Sequence, residues 1–367
     1  MALSSHVVRE LRDILDAFGA LRGDQTAILA SVVHTAGSTY RRPGARLLVL
    51  PGDEMIGLIG GGCLEGDLLE HALRVRASDE PTLVHYDATA EDDLVWGLGL
   101  GCAGVVDVLL EPVSPAQPGP LTALTAWRAT RETGALATGL EDPWLGRHWA
   151  LHPDGRVDGA PDDDLRAALA ECLESGRGRQ LPAAGGRVSI EIARPPLRLV
   201  IFGAGPDAMP VARLALELGW EVELSDPRPA YAQPERFPGA RVVCVPSGEA
   251  VAQMAVRDDT YTIVMTHHYL HDRALLAGLL PSATPYIGLL GPRQRADDLI
   301  AELLEEGVTT TEEQLERLHG PAGLDLGGDG PEAIALSLIA EIQAVAEGRS
   351  GGWLRARKGP IHDPLLP

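Results

Sequence analysis

The chain has 367 residues, 45% apolar, 23% charged and 4% aromatic, which suits about two domains with aliphatic cores. Its formal net charge of −21 excludes general nucleic-acid binding, which needs basic residues to neutralise phosphates, and disfavours anionic membrane surfaces. No run of about 18 apolar residues is present and the charged N-terminus lacks a secretory leader pattern, so no membrane span and a cytoplasmic location are expected.

The N-terminal stretch reads as an amphipathic helix, with Val8, Leu11, Leu15 and Phe18 on one face. TAILASVVHT is a strand, AGSTYRRPG a loop, ARLLVL a second strand and MIGLI a third. A helix is expected from CLEGDLLEHALRVRA, with Leu64, Leu68, Leu69 and Ala72 on one stripe. TLVHYDA and VVDVLLEP are further strands, separated by EDDLVWGLGLGCAG. PVSPAQPGP reads as a connector, and residues 121–190 give weaker helix and strand signals.

A different pattern begins after ARPP at 193–196. LRLVIF, EVELSD, RVVCVP, YTIVMTH and YIGLLG are five apolar strands separated by helical segments, which implies a doubly wound parallel sheet. A long helix with Pro331 in its first turn closes this part. The expected division is 1–192 for an N-terminal mixed α/β domain, 197–348 for a Rossmann-like domain and 349–367 for a flexible tail.

Gly203, Gly205 and Ala208 fit G-x-G-x-x-G/A directly after a strand, and Asp226 ends the next strand. Glycines there admit a pyrophosphate to the helix N-terminus, and the acid can bind a ribose hydroxyl. NAD(P) or another nucleotide is therefore a candidate ligand. Pro206 removes one backbone donor from the turn. His267 ends the fourth strand, and His267, His268, His271 and Asp272 form a local polar cluster. Helix capping or ligand contact by His267 and Asp272 is expected there ahead of metal binding.

The four cysteines form no C-x-x-C pair. Cys172 and Cys244 read as small core hydrophobes, on a helix and in a buried strand. Cys63 and Cys102 sit in glycine-rich stretches instead. Gly60, Gly61 and Gly62 permit a nest of backbone N–H groups, an anion site. Cys63 follows at the start of a helix, where a thiolate is favoured and suits soft metals or sulfur chemistry. Arg41, Arg42 and Arg46 are candidate phosphate contacts. The alternative is that Cys63 packs under a tight turn and the arginines are solvated.

The stretches GSTYRRPGARLLV, GLIGGGCLEGDL, DLVWGLGLGCAGVVDVLLEP, GAGPDAMPVARLA, MTHHYLHD, YIGLLGPRQR and GLDLGGDGPEAIALSLIAEI, in this order, resemble the XdhC/CoxI family. The chain departs from the common pattern at Ala103, Pro206 and Pro292. The resemblance implies an XdhC/CoxI-type N-terminal domain and a maturation factor that binds the molybdenum cofactor (molybdopterin), protects it during sulfuration and delivers it to an apo xanthine dehydrogenase-type molybdenum hydroxylase. It implies a cysteine desulfurase as a second partner. Carried over residue by residue, Cys63 handles molybdenum or sulfur as a metal ligand, with Cys102 as a second reactive candidate. Gly60, Gly61, Gly62 and Glu65 then lie at the cofactor with Arg41, Arg42 and Arg46, and Gly203, Gly205, Asp226 and His267 at the nucleotide. A homodimer would suit a dimeric client. Two other readings stay open: an NAD(P)-dependent oxidoreductase with His267 as its acid–base group, and a non-catalytic scaffold for the hydroxylase.

Overall fold

The computed structural model describes residues 5–37, 39–62, 64–87, 104–358 and 361. The chain divides between Pro195 and Pro196 into two compact units.

The first unit opens with helix α1 (Ser5–Gly19). Strands β1 (Ala27–Gly37), β2 (Arg46–Val49) and β3 (Met55–Gly57), helix α2 (Glu65–Ser78), and strands β4 (Thr82–Asp87) and β5 (Gly104–Val113) follow. The strands form one antiparallel sheet in the order β3-β2-β1-β5-β4. Helix α2 starts at Glu65, two residues later than the periodicity suggests, and buries Leu68, Ala72 and Val75. These pack with Ile28, Leu47 and Leu110 of the sheet. The helix ends where Asp79 takes the left-handed conformation.

Residues 121–190, weakly patterned in sequence, hold a complete second sheet. Helix α3 (Leu121–Thr130) precedes β6 (Gly134–Gly139), β7 (His148–Leu151) and β8 (Val157–Asp158). Helix α4 (Asp163–Ser175), β9 (Arg179–Ala183) and β10 (Gly186–Ala193) complete it, in the antiparallel order β8-β7-β6-β10-β9. The strand GALATG is buried throughout and rich in small residues, so it shows no period-2 alternation. Asp162 caps α4 by accepting from the Leu165 N–H. Cys172 is buried on α4 as expected, and burial pushes its thiol up to about 11.

The two sheets of this unit are bolted together by polar side chains. Ser189 donates to the Val33 carbonyl at 2.7 Å, and His148 Nε2 lies 2.6 Å from Glu111 Oε2. Arg46 pairs with Glu191. These groups surround a cavity of about 10 Å³, the size of one water. Ser31 Oγ, Arg46 Nε and Glu111 Oε1 are buried there without a hydrogen-bond partner.

The second unit is a doubly wound α/β sheet. It comprises β11 (Arg198–Phe202), α5 (Ala208–Glu217), β12 (Glu221–Asp226), β13 (Arg241–Cys244), α6 (Ser247–Gln253) and β14 (Thr260–Val264). Helix α7 (Tyr269–Leu279), β15 (Tyr286–Leu289), α8 (Arg293–Glu305), α9 (Glu312–Glu316), β16 (Leu318–His319) and α10 (Pro331–Ala346) follow. All strand neighbours are parallel, in the order β13-β12-β11-β14-β15-β16. Five of these strands match the sequence pattern. The two-residue β16 is too short to be seen in it. One apolar layer packs α5 and α10 on one face and another packs α7 and α8 on the opposite face. Cys244 corrects the expectation of a core position: β13 is an edge strand, and the thiol is exposed. Among the described residues, no helix is long and apolar enough to cross a membrane.

Candidate functional site

The strand registers place Gly37, Gly57, Asp87 and Gly104 at one end of the first sheet. Gly37, the last residue of β1, pairs with Gly104, the first of β5, and Asp87, the last of β4, pairs with Val105. Gly57 at the end of β3 pairs with Leu47 at the start of β2. The described ends that flank segments 38–45, 58–64 and 88–103 therefore lie at the same end of the sheet. Cys63 lies in the second and Cys102 in the third, and both lie outside the described residues. The first two segments touch: a Cβ on Gly61 would stand 3.3 Å from Tyr40 Cε1, so the exposed tyrosine ring lies against the glycine backbone.

The anion nest read from the glycine run exists, and its occupant is Glu65. Its Oε1 accepts from the N–H of Ile59 at 3.0 Å and of Gly60 at 2.7 Å. Its Oε2 accepts from Gly62 N–H at 2.8 Å. Gly61 (φ +66°) and Gly62 (φ +100°) are left-handed, which is what turns the N–H groups inward. Burial raises the Glu65 pKa, but the N–H bonds from Gly60, Ile59, its own backbone and Gly62 outweigh it and hold the carboxyl below its ordinary value of 4.5. The lowered value makes the turn's stabilisation complete above the unfolded pKa and lost as pH falls through the folded one. Glu65→Gln, which leaves a single acceptor oxygen, is expected to lower the unfolding free energy by about 1–3 kcal/mol. Amide shifts of Ile59, Gly60 and Gly62 should titrate below pH 4.5 in the parent protein and not in this variant.

The three candidate arginines part company. Arg41 Nη1 donates to Glu10 Oε1 of α1 at 3.0 Å, and a second bond joins the same pair. Arg46 is buried, donates to the Gly44 carbonyl at 2.8 Å and pairs with Glu191, so it holds the two sheets and not an open surface. Arg42 makes no ion pair among the described residues, and its Nε is buried without a partner. His34 Nδ1 and Thr35 Oγ1, near the end of β1 where the Arg42 segment begins, are likewise buried without a partner among the described residues. Sequence reasoning missed His34 and Thr35; their signal was polar side chains at the end of an otherwise apolar strand.

In the second unit the switch point of the sheet lies between β11 and β14. Gly203 has φ +114°, and a Cβ there would stand 2.5 Å from the Met265 carbonyl oxygen of the neighbouring strand end. A Cβ on Gly205 would stand 2.5 Å from Asp207 Oδ1. His267 takes the left-handed conformation (φ +59°), a strained state for a non-glycine, and its Nε2 lies 2.6 Å from Asp207 Oδ2. The His267–Asp207 pair therefore spans the switch point. His271 Nδ1 lies 3.0 Å from Ser247 Oγ, and its ring centroid lies 4.3 Å from that of His268 with the planes inclined by 46°. Asp272 is buried, accepting from Thr266 Oγ1 at 2.5 Å and from Arg295 Nη2 at 2.6 Å. Asp226 is fully buried, and its carboxylate accepts from the Ala204 N–H at 2.8 Å and from Arg228. Burial pushes its pKa up, yet the bonds from Arg228 and Ala204 prevail and hold it below the ordinary value. Among the described residues, no three His, Cys, Asp or Glu side chains converge as a metal-ligand group.

Residues 20–87 match the model of the XdhC and CoxI family, and residues 199–342 match that of the XdhC Rossmann domain. The chain is 31% identical over 332 residues to a Bacillus subtilis (strain 168) protein named as a probable xanthine dehydrogenase subunit, spanning 90% of this chain and 95% of that one. The chain belongs to the XdhC and CoxI family. A more distant relative, the molybdenum cofactor insertion chaperone PaoD of Escherichia coli (strain K12), is 22% identical over 90% of this chain and 86% of its own. Among solved structures, a protein described as a xanthine dehydrogenase from Bacillus halodurans matches with a TM-score of 0.76 and 27% identity, over 93% of this chain and 96% of that one. These names divide between a xanthine dehydrogenase or its subunit and a molybdenum cofactor insertion chaperone.

Proposed function

We propose that this XdhC-type chain is a maturation factor that binds the molybdenum cofactor, protects it and delivers it to an apo xanthine dehydrogenase-type hydroxylase. The observation that carries the reading is that the strand ends flanking the segments of Arg42, Cys63 and Cys102 lie at one end of the first sheet. Buried donors on Thr35 and Arg42, without partners among the described residues, suit an anionic, hydrogen-bonding ligand. The cofactor, when bound, supplies a dithiolene-held molybdenum and a phosphate. Cys63 is the soft ligand for that metal, Cys102 a second thiol, and Arg42 the contact for the phosphate. Since Glu65 fills the glycine nest, the phosphate is met at Arg42 and not at the N–H groups of Gly60 and Gly62. A cysteine desulfurase as sulfur donor and a homodimeric carrier belong to the same reading. In the second unit the glycine turn holds NAD(P) or a related nucleotide.

The test is anaerobic: the full-length protein is mixed with molybdenum cofactor, ultrafiltered and its molybdenum counted, then the loaded protein is mixed with apo hydroxylase. Retention followed by activation of the hydroxylase is expected. No retention under conditions in which an established carrier retains the cofactor would overturn the reading. The strained His267–Asp207 pair at the switch point supports a second reading, an oxidoreductase with His267 as acid–base group. That reading requires turnover of a reduced nicotinamide cofactor, which the first does not.

A further inference from the structure

In the glycine-turn fold, the acid that ends the second strand accepts a hydroxyl of the nucleotide's ribose, whereas a nearby arginine accommodates a ribose phosphate. Asp226 stands at this position and has no capacity left. Its Oδ2 accepts from Ala204 N–H at 2.8 Å and from Arg228 Nη2 at 2.7 Å. Its Oδ1 accepts from Arg228 N–H and from Arg228 Nε, both at 2.9 Å. Four bonds use the four acceptor sites of a carboxylate, and the residue has no exposed surface. A ribose hydroxyl arriving here finds no free acceptor.

What the end of β12 offers instead is cationic. The Arg228 side chain is 44% exposed, and its guanidinium lies 3.9 Å over the Tyr231 ring. Arg236 lies 5.4 Å over the same ring, and its Nη1 is fixed by the Ala204 carbonyl at 2.7 Å and the Tyr231 carbonyl at 2.9 Å. Two guanidinium groups thus flank one aromatic ring immediately beyond the strand. The other carboxylate of the turn, Asp207, is turned to His267. A planar, fixed guanidinium pair suits a phosphate and a stacked purine better than a hydroxyl.

We infer that the nucleotide taken by the second unit carries a phosphate on its ribose at Arg228 and Arg236: the 2′-phosphorylated dinucleotide class, NADP, and not NAD. This rests on the reading that the turn binds a nucleotide.

The test is calorimetric titration of the full-length protein with NADP and NAD, and with 2′,5′-ADP and 5′-AMP to isolate the phosphate. NADP is expected to bind about tenfold or more tightly than NAD, the scale of one or two charge-assisted bonds. Arg228→Ala uncovers Asp226 and is expected to bring the NADP-to-NAD ratio close to one. Arg236→Ala, which leaves the Asp226–Arg228 pair in place, is expected to weaken NADP more than NAD and so reduce the ratio. Equal affinity of the parent protein for both dinucleotides would overturn this inference and leave nucleotide binding standing. Failure of all four probes to bind would overturn both.

Discussion

Cys63→Ala is expected to reduce the molybdenum retained after ultrafiltration by about tenfold or more, because even the loss of an outer-shell partner costs a metal site roughly 10–100-fold. A thiolate is a soft donor, and alanine leaves the position with no group for a metal that prefers sulfur. The fold should survive. The glycine turn at 59–62 is held by Glu65 through the N–H groups of Ile59, Gly60 and Gly62, none of which uses the cysteine side chain. Circular dichroism and the unfolding midpoint should therefore match the parent, while activation of the apo hydroxylase is lost. Parent-level retention by the variant would remove Cys63 from the site. Cys102→Ala, assayed beside it, separates a two-thiol site from a single one: retention falls in both variants or in Cys63→Ala alone.

Arg46→Ala is expected to cost about 3–5 kcal/mol of unfolding free energy, the penalty of leaving one half of a buried ion pair alone. Arg46 is 6% exposed, its partner Glu191 is largely buried on the second sheet, and Glu111 lies in the same cluster. Removing the guanidinium strands Glu191 and the Gly44 carbonyl without a donor. Replacing both members, Arg46→Met with Glu191→Leu, should recover most of the loss, since an apolar pair needs no compensating charge. Urea unfolding of the parent and both variants checks this. A loss below about 1 kcal/mol for Arg46→Ala would mean that the pair is hydrated like a surface bridge. The outcome also bears on function. A large loss of stability with the residual folded protein still retaining molybdenum would assign Arg46 to the scaffold, leaving Arg42 as the arginine facing the ligand.

The sequence by itself determined the doubly wound second unit. LRLVIF, YTIVMTH and YIGLLG carry continuous apolar runs because parallel strands are covered on both faces, and the glycine turn follows the first of them. Two of the family stretches, GLIGGGCLEGDL and GAGPDAMPVARLA, were equally legible, since local backbone demands at Gly61, Gly62 and Gly203 fix residue type at the position itself. The second antiparallel sheet of the first unit was not legible, because its short strands use small residues and alternate weakly. Nor could the sequence say which charge meets which. Arg41, Arg42 and Arg46 look alike in YRRPGAR, but α1 supplies Glu10 to the first and β10 supplies Glu191 to the third, from 31 and 145 residues away. Asp226 and the glycine nest obey the same rule. In sequence each looks open to a ligand, and in the fold each is satisfied from within the chain, by Arg228 and by Glu65. Spacing along the chain sets which groups can be present at a turn. Only the tertiary structure decides which are already paired, because a buried donor or acceptor takes whatever partner the fold brings within about 3 Å.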